Sequence, residues 1–321
     1  MKTLFVAVSV LLLGTAAASA ETWPSRPITI VAPTTAGGPP DTIARILSEP
    51  MRVSLGQPVI VENVTGAAGN IGVRRVAQAA PDGYTIGLAT TGSLAINPHI
   101  YPRLPHDTVK DLTHITLAVS YVNVLIVNPA VPVHTVGELI AYAKKSPVSF
   151  GSAGNGSSNH LSGELLKVIT KAPMEHIPYK GSGPAMADLI AGNLTFMFDV
   201  LITSIPQMRA GRVRALAVTS SKRSPYVPEV PTMAESGVKG YAEAGSDLWF
   251  GIVGPAGIPK PIVQKLNAKL IEALRAPDMR ERVRIQAFDL WTSTPEEFTA
   301  TVKADRERWG KVVRAAGAKV D

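Results

Sequence analysis

The sequence predicts an α/β protein of two domains, each a mostly parallel sheet covered by helices, with a ligand cleft between the domains. Three observations lead to this fold class. Buried β-rich runs alternate with amphipathic helical segments, which is typical of parallel sheets. The alternation stops at two adjacent β-rich runs within residues 112–129 and then starts again. Each half also has a polar, glycine-containing loop after a buried strand near its start.

The first half begins with a strand over residues 28–32, a loop of threonine and glycine, and a helix whose N-cap we expect to be Asp41. The short carboxylate of Asp41 can accept a hydrogen bond from a backbone N–H of the first helical turn. The next predicted elements are a strand over 58–63, a helix over about 69–79 and a strand over 84–90.

The second half repeats the alternation. Its predicted elements are a helix over 136–145, a strand over 148–152, a helix over 161–169, a strand over 174–179, a helix over 184–191, and strands over 194–199 and 213–220. Residues 221–247 contain three prolines and little periodicity, which predicts a surface loop that returns to the first domain. The last predicted elements are a strand over 248–255, helices over 262–274 and from Asp278, a strand over 288–291, and a helix over 294–315 that starts with Thr-Pro-Glu-Glu.

This order predicts two connections between the domains. We expect domain 1 to comprise residues 21–122 and 247–321, and domain 2 to comprise residues 123–246. Ligands of open α/β sheets bind beyond the carboxyl ends of the strands. Two such sheets that face each other form a cleft that can close around a ligand.

Residues 1–20 have the pattern of a secretory signal peptide. Lys2 supplies a positive charge, residues 4–14 an apolar core, and Ala18-Ser19-Ala20 a small-x-small site, so we expect cleavage after Ala20. The apolar core is shorter than the roughly 20 residues that a membrane span needs. The sequence has no cysteine, which excludes disulfides, thiolate chemistry and a lipid anchor on cysteine. We therefore expect an exported protein.

The charge balance is mildly basic. The formal net charge of +7 falls to +6 when Lys2 is removed with the signal peptide. The densest basic runs, residues 280–284 and 303–314, alternate with acids and indicate solvated helix faces. Nucleic-acid binding needs a clustered basic face, so we expect no nucleic-acid partner.

The sequence gives little support for catalysis, a metal or a cofactor. The six histidines are dispersed, without the spacings of metal sites, and no G-x-S-x-G elbow is present. GAAGNIG at residues 66–72 has the spacing G-x-x-G-x-x-G instead of the dinucleotide pattern G-x-G-x-x-G, which favours a tight strand-to-helix turn. We expect no cofactor and no metal.

Two loops at helix starts are candidates for binding an anion. Residues 34–38 and 152–160 each combine glycines, which allow close approach of the backbone, with the unpaired N–H groups of a first helical turn. Either loop alone would be interpreted as an ordinary capped loop. Two such loops at equivalent places in two domains favour one carboxylate site, and neither loop contains Lys or Arg.

Asp199 ends a predicted strand near the expected cleft. It would either hold a loop or contact a ligand hydroxyl, and the first role is favoured because a carboxylate repels a dicarboxylate. Phe198, Leu201 and Trp249 are candidates for the lining of the cleft, although aromatic residues in such strands are more often in the core.

A series of motifs along nearly the whole mature chain resembles one family. These motifs include RPITIVAPTTAGGPPDTIAR, GQPVIVENVTGAAGNIG, AAPDGYT, HIPYKGSGPAMADLIAGNLTFMFD, GRVRALAVTSSKRS and FGIVGPAGIPKPIV. They resemble the tripartite tricarboxylate transporter receptors, which are periplasmic solute-binding proteins also known as the Bug family. The resemblance implies a two-domain periplasmic binding protein (Venus-flytrap) fold, a periplasmic location, and delivery of an organic anion to a membrane permease of one large and one small subunit.

The resemblance also implies which residues bind the ligand. In the family, one ligand carboxylate sits on the first strand–helix loop, largely through backbone groups and ordered waters. The corresponding loops give these ligand-binding residues: Thr34, Thr35, Ala36, Gly37, Gly38 and Asp41; Thr90, Thr91 and Ser93; Ser152, Ala153, Gly154, Asn155, Gly156, Ser157, Ser158 and His160; Asp199 and Val200. Thr34 stands where the family commonly has an aromatic residue, and this smaller polar side chain would enlarge the pocket.

We therefore expect a monomeric, non-enzymatic receptor for a dicarboxylate, a tricarboxylate or an aromatic carboxylate. Two alternatives remain open at this point. An extracytoplasmic enzyme acting on a carboxylic acid would need an acid and a base in the cleft, and His160 and Asp199 are the available groups. A partner that presents its ligand to a membrane sensor kinase would have the same pocket.

Overall fold

The computed structural model describes residues 23–241 and 248–319, which form two β-sheets covered by helices. The predicted signal peptide and its cleavage site lie outside the described residues. Within this described part of the chain, no helix combines the length and the apolar character that crossing a bilayer requires.

Eleven strands are found among the described residues. They are β1 (Ile28–Ala32), β2 (Val59–Asn63), β3 (Thr85–Thr90), β4 (Leu112–Tyr121), β5 (Asn123–Val127), β6 (Ser149–Ser152), β7 (Glu175–Pro178), β8 (Phe196–Val200), β9 (Arg214–Val218), β10 (Leu248–Pro255) and β11 (Asp289–Leu290). The first sheet has the strand order β11–β4–β10–β3–β1–β2, and the second has the order β7–β6–β8–β5–β9. We call each sheet with the helices that pack on it the first lobe and the second lobe.

Ten α-helices connect or cover the strands in the described chain. They are α1 (Pro39–Leu55), α2 (Asn70–Ala77), α3 (Asn97–Ile100), α4 (Val136–Ala143), α5 (Ser158–Thr170), α6 (Ser182–Ala191), α7 (Leu201–Arg209), α8 (Lys260–Arg275), α9 (Pro277–Ile285) and α10 (Pro295–Ala316). A 3₁₀ turn (Ala67–Gly69) precedes α2, and a π-helical turn (Gly92–Ile96) precedes α3.

The chain passes between the lobes twice. Only Val122 separates β4 of the first sheet from β5 of the second. The return runs from β9 of the second sheet to β10 of the first. The predicted strand over 248–255 and the predicted passage near residue 122 coincide with these elements.

The sheets are mixed, whereas the alternation along the sequence predicted mostly parallel ones. Parallel pairing joins β1 to β2 and β3, and joins β6 to β7 and β8. The partners of β5 and β10 all run antiparallel to them. β5 and β10 enter their sheets from the other sheet and not through a crossover from a neighbour in the same sheet, so the crossover rule does not make them parallel to their neighbours.

The start of α1 and two whole helices, α3 and α7, differ from the prediction. The N-cap of α1 is Gly38 and not Asp41, which lies three residues into the helix. The helix α7 was not predicted, because Pro206 and two hydroxyl residues, Thr203 and Ser204, obscure its periodicity. The predicted start of the last helix is confirmed, since the Thr294 and Glu297 side chains form a capping box.

The three apolar residues proposed for the lining of the cleft lie in the core instead. Phe198, Leu201 and Trp249 are all fully buried, and none of them lines the cavity described below. The Trp249 ring packs edge-on against Phe298 with centroids 5.3 Å apart, and its Nε1 donates to Asp305 at 2.7 Å.

Candidate functional site

A cavity of about 480 Å³ lies where the carboxyl ends of strands from both sheets meet. Its walls are formed by the loops that follow β1, β2, β6 and β7, together with the ends of β3 and β8. This is the position at which open α/β sheets bind ligands. The predicted site residues in its lining are Thr34, Thr35, Ala36, Gly37, Gly38, Thr90, Ala153, Gly154, Asn155, Ser157, Ser158 and Val200.

Asp41 holds the conformation of the first loop (residues 34–38) from the side that faces away from the cavity. The Asp41 carboxylate is 2% exposed and accepts hydrogen bonds from the Gly37 N–H at 2.8 Å, Arg45 Nε at 2.9 Å and Asn63 Nδ2 at 2.9 Å. Burial acts to raise the pKa of this carboxyl, but the hydrogen bonds from Arg45, Gly37 and Asn63 together lower it below its ordinary value. Asp41 therefore fixes the loop conformation and does not line the cavity.

The start of α1 offers fewer N–H donors than the sequence pattern suggested. Its first two residues are Pro39 and Pro40, which have no N–H, and the Gly37 N–H already bonds to Asp41. The Gly38 N–H donates to the Thr35 carbonyl at 3.0 Å. This loop therefore presents mainly the hydroxyls of its threonines and the exposed backbone around Ala36.

The second loop is braced by side chains on its own edge. Ser152 Oγ accepts from the Gly154 N–H at 3.1 Å, and His160 Nδ1 accepts from the Gly156 N–H at 3.1 Å. The N-cap of α5 is Ser157, whose side chain accepts from the His160 N–H at 3.2 Å. The glycine N–H groups are thus used within the loop.

The remaining donors of this loop belong to the helix start. The N–H groups of Ser158 and Asn159 lie in the first turn of α5, where no carbonyl of the helix precedes them, and both residues line the cavity. They are the N–H groups that the helix dipole makes attractive to an anion.

Two further loops line the cavity and were not predicted as site residues. Residues 65–69 follow β2, and residues 179–183 follow β7. A Cβ at Gly181 would lie 3.6 Å from Thr35 Oγ1, so this loop of the second lobe faces the first loop across the cavity. Both loops could have been predicted from the motifs GAAGNIG and YKGSG, because each motif lies between a predicted strand and a predicted helix.

Lys180 changes the electrostatics expected for the site. It is exposed, and it is the one lining residue with a charged side chain in the described part of the chain. The absence of Lys and Arg from the two predicted loops therefore does not extend to the whole cavity.

One wall of the cavity is aromatic. Tyr101, Tyr121, Tyr179 and Phe250 line it, and the rings of Tyr121 and Phe250 pack with centroids 4.5 Å apart. Tyr121 is 5% exposed, and burial raises the pKa of its hydroxyl, so this phenol is neutral. Tyr179 belongs to the YKGSG motif, whereas no local motif marks Tyr101, Tyr121 or Phe250, because only the folded chain brings them together.

The two lobes touch beside the cavity. The Tyr101 hydroxyl of the first lobe donates to the Asn155 carbonyl of the second lobe at 2.9 Å. Gly156 has φ +90°, and a Cβ there would overlap Asn97 Oδ1 of the first lobe. The Asn97 amide is itself held by Nδ2, which donates to Asn70 Oδ1 at 2.7 Å. This close approach requires a residue without a side chain at position 156.

Six of the predicted residues besides Asp41 lie behind the lining. They are Thr91, Ser93, Ser152, Gly156, His160 and Asp199. Thr91 Oγ1 accepts from the Trp249 N–H at 2.9 Å, and Ser93 Oγ accepts from the Thr90 N–H at 3.0 Å, so both hold the end of β3 in place.

The two groups available for acid–base chemistry are buried behind the cavity wall. Burial lowers the pKa of His160 to about 3, aided by repulsion from His176 and Lys167. Asp199 is fully buried, accepts from Thr203 Oγ1 at 2.6 Å, and has its pKa raised by burial. Neither side chain lines the cavity. Over the described ranges, no group of three or more His, Asp or Glu side chains has the arrangement of a metal site.

The chain matches known proteins over most of its length. Residues 43–318 match the model of the tripartite tricarboxylate transporter family receptor. BugT of Bordetella pertussis is 37% identical over 305 residues, which cover 94% of this chain and 93% of BugT. Among solved structures, R. palustris Rpa4515 with adipate has a TM-score of 0.88 at 35% identity, covering 93% of this chain and 100% of that one. MatC of Rhodopseudomonas palustris with bound malate has a TM-score of 0.85 at 33% identity, covering 91% and 100%. The chain therefore belongs to the tripartite tricarboxylate transporter receptor family.

Proposed function

We propose that this protein is a periplasmic receptor that captures a small dicarboxylate between its lobes and delivers it to a two-subunit membrane permease. The observation that supports this most directly is the convergence of strand-end loops from both sheets on one cavity of about 480 Å³. Cavities of this size hold small organic ligands.

The chemistry of the lining fits a ligand with an acidic group at each end. Ser158 offers its hydroxyl, and the first turn of α5 offers its free N–H groups, as donors to one carboxylate. Lys180 offers a positive charge to a second one. The aromatic wall of Tyr101, Tyr121 and Phe250 would contact the apolar chain between them.

Capture would involve closure of the two proposed domains, residues 21–122 with 247–321 and residues 123–246. The two passages near Val122 and between β9 and β10 would then act as the hinge. The hydrogen bond from Tyr101 to Asn155 joins the lobes, so opening would break it.

A receptor is favoured over an enzyme because His160 and Asp199 are engaged behind the cavity wall. The related structures that contain adipate and malate support a dicarboxylate ligand. The proposal also includes delivery to a permease, a monomeric state and cleavage of the signal peptide after Ala20. These points rest on the family to which the chain belongs.

The test is calorimetry and thermal unfolding of the mature protein with adipate and malate, with adipamide as the uncharged control. We expect at least one dicarboxylate to bind and to raise the unfolding temperature, because a ligand that binds the native state stabilises it by RT ln(1 + [L]/Kd). Equal affinity for adipate and adipamide would contradict the carboxylate site. Conversion of a bound acid by the purified protein would contradict the receptor role.

A further inference from the structure

The outer face of α10 carries a second concavity, which we call the basic groove. It has a volume of about 700 Å³ and shares no lining residue with the cavity between the lobes. Its charged lining residues are five cations, Lys110, Lys303, Arg306, Lys311 and Arg314, and two acids, Asp107 and Glu307. The basic residues that alternate with acids along the sequence therefore come together on one side of the folded helix.

The positive charge of the groove is poorly neutralised. Arg306 Nη1 lies 3.8 Å from Asp107 Oδ1, longer than the roughly 2.7–2.9 Å of a charge-assisted hydrogen bond. That carboxylate already accepts the N–H groups of Val109 at 2.8 Å and Lys110 at 3.1 Å. In residues 23–241 and 248–319, the other four cations of the groove form no ion pair.

His99 at the edge of the groove adds no charge to it at neutral pH. Its Nε2 lies 2.7 Å from the Arg306 carbonyl oxygen, which can only accept, so Nε2 carries a proton. Burial, with repulsion from Arg306 and Arg314, lowers the pKa of His99.

The cations of the basic groove are spread along its length and do not surround one position. Lys303 and Arg314 are 11 residues apart on α10, a distance of about 16 Å along the helix. This matches about five residues of extended chain at roughly 3.3 Å each. Lys110, Lys303, Lys311 and Arg314 are exposed, so a bound chain could reach all of them.

We propose that the basic groove is a docking surface for an acidic segment of a partner protein. A small anion would be held by donors that surround it, whereas these donors are exposed and spread along the helix. A bilayer surface is a poorer match, because the groove is concave and has no apolar anchor. The exposed large hydrophobic residues of the described chain, Val53, Ile60, Ile71 and Ile285, all lie outside it.

The groove is also close to the contact between the lobes. His99 in α3 lines the groove, and Tyr101, two residues later, donates its hydroxyl to the second lobe. A partner in this groove would therefore bind next to the element that joins the lobes, without entering the ligand cavity.

The test uses the whole mature protein and a fluorescent peptide of ten glutamates, with a decaglutamine peptide as the neutral control. Binding is measured by fluorescence anisotropy at low and high salt. The test variant is Lys303→Glu with Lys311→Glu. The matched control is Lys222→Glu with Lys239→Glu, which changes the net charge equally at exposed positions outside the groove.

We expect the acidic peptide to bind the wild type and the control and to be weakened by salt. The groove variant should bind it about tenfold or more weakly, since two attractive charges become repulsive. Adipate binding should stay the same in both variants, while the groove variant should unfold at a slightly lower temperature because its two new carboxylates flank Glu307 at i,i+4 spacing on α10.

Equal losses in the two double variants would overturn the proposal, because net charge alone would then explain binding. Binding of phosphatidylglycerol vesicles that depends on Lys303 and Lys311, without peptide binding, would assign the surface to a membrane and also overturn it. Failure of the acidic peptide to bind the wild type at low salt would do the same.

Discussion

The substitution of Gly156 by alanine tests the contact between the two lobes, because it adds one methyl group where they touch. Gly156→Ala adds a Cβ that overlaps Asn97 Oδ1 of the first lobe, at a residue with φ +90°. Gly211→Ala is the matched control, because Gly211 has φ +67° and nothing within 4 Å of the added Cβ. Both variants bear the cost of a left-handed backbone with a side chain, about 1–2 kcal/mol. The difference between them isolates the contact between the lobes.

The size of the free-energy difference between the two variants depends on which group moves to relieve the overlap at position 156. If the lobes stay closed, the Asn97 amide must leave Asn70 Oδ1, which it holds at 2.7 Å. Losing this bond and leaving a buried acceptor unpaired costs about 1–3 kcal/mol. If the lobes open instead, the same free energy is lost from the closed, ligand-binding state. The dissociation constant for a ligand such as adipate should then rise about 5–150-fold.

The assay is calorimetry with adipate, together with small-angle scattering of the unliganded protein. Gly156→Ala should bind more weakly and be more extended, whereas Gly211→Ala should bind like the wild type with a lower unfolding temperature. Adding Asn97→Ala to Gly156→Ala should recover part of the affinity, because the overlapping atom is gone. Identical affinities and dimensions for the Gly156 and Gly211 variants would refute this account of the closed state.

Other changes test the charge, the contact between the lobes and the first loop. Lys180→Met should weaken the binding of adipate about fivefold, because an exposed ion pair contributes up to about 1 kcal/mol, and should leave the binding of hexanoate unchanged. Calorimetry that finds equal losses of affinity for both acids, or the same loss in Lys239→Met, would contradict this. Tyr101→Phe removes the 2.9 Å hydrogen bond to Asn155 but keeps the ring, so the dissociation constant for adipate should rise about two- to tenfold; an unchanged constant would show that the bond does not favour the closed state. Because the pKa of Asp41 in the folded protein is lowered from 3.8, ionised Asp41 stabilises the fold above that pH and this contribution is lost as the pH falls further. The stability difference between wild type and Asp41→Asn, measured by chemical unfolding, should therefore be present at pH 6 and shrink below about pH 4, and a difference independent of pH would argue against the assignment.

The architecture could be predicted because it depends on periodicity within each segment. The β-rich runs and amphipathic helices gave most elements within a few residues, and the direct passage near residue 122 was visible as two adjacent runs. Strand direction could not be predicted in the same way, because the antiparallel partners of β5 and β10 come from distant parts of the chain. The helix α7 was missed because Pro206 and its hydroxyl residues are poor helix signals.

The candidate site was predictable only where a local motif marks it. The loops at residues 34–38 and 153–158 follow strands and precede helices, which is the pattern of an anion site. The motifs GAAGNIG and YKGSG have the same position between a strand and a helix, but they were not interpreted as binding loops. Residues 65–69 and Lys180 were therefore not predicted as site residues. The consequence of Pro39 and Pro40 was also visible in the sequence, since proline has no N–H. Tyr101, Tyr121 and Phe250 carried no local signal, because only the folded sheets bring them to one wall.

The single residue between β4 and β5 constrains how the two connections can evolve. Side chains alternate between the two faces of a strand, so inserting or deleting one residue at Val122 would turn every side chain of β5, all of which are buried, toward the opposite face of the sheet. Such a slip would mispair β5 with both β8 and β9, its two neighbours in the second sheet. The other connection, from β9 to β10, spans residues 219–247, so it has many more positions at which a change in length need not shift a strand. Natural or engineered insertions should therefore accumulate in the return connection, while the length at Val122 stays fixed.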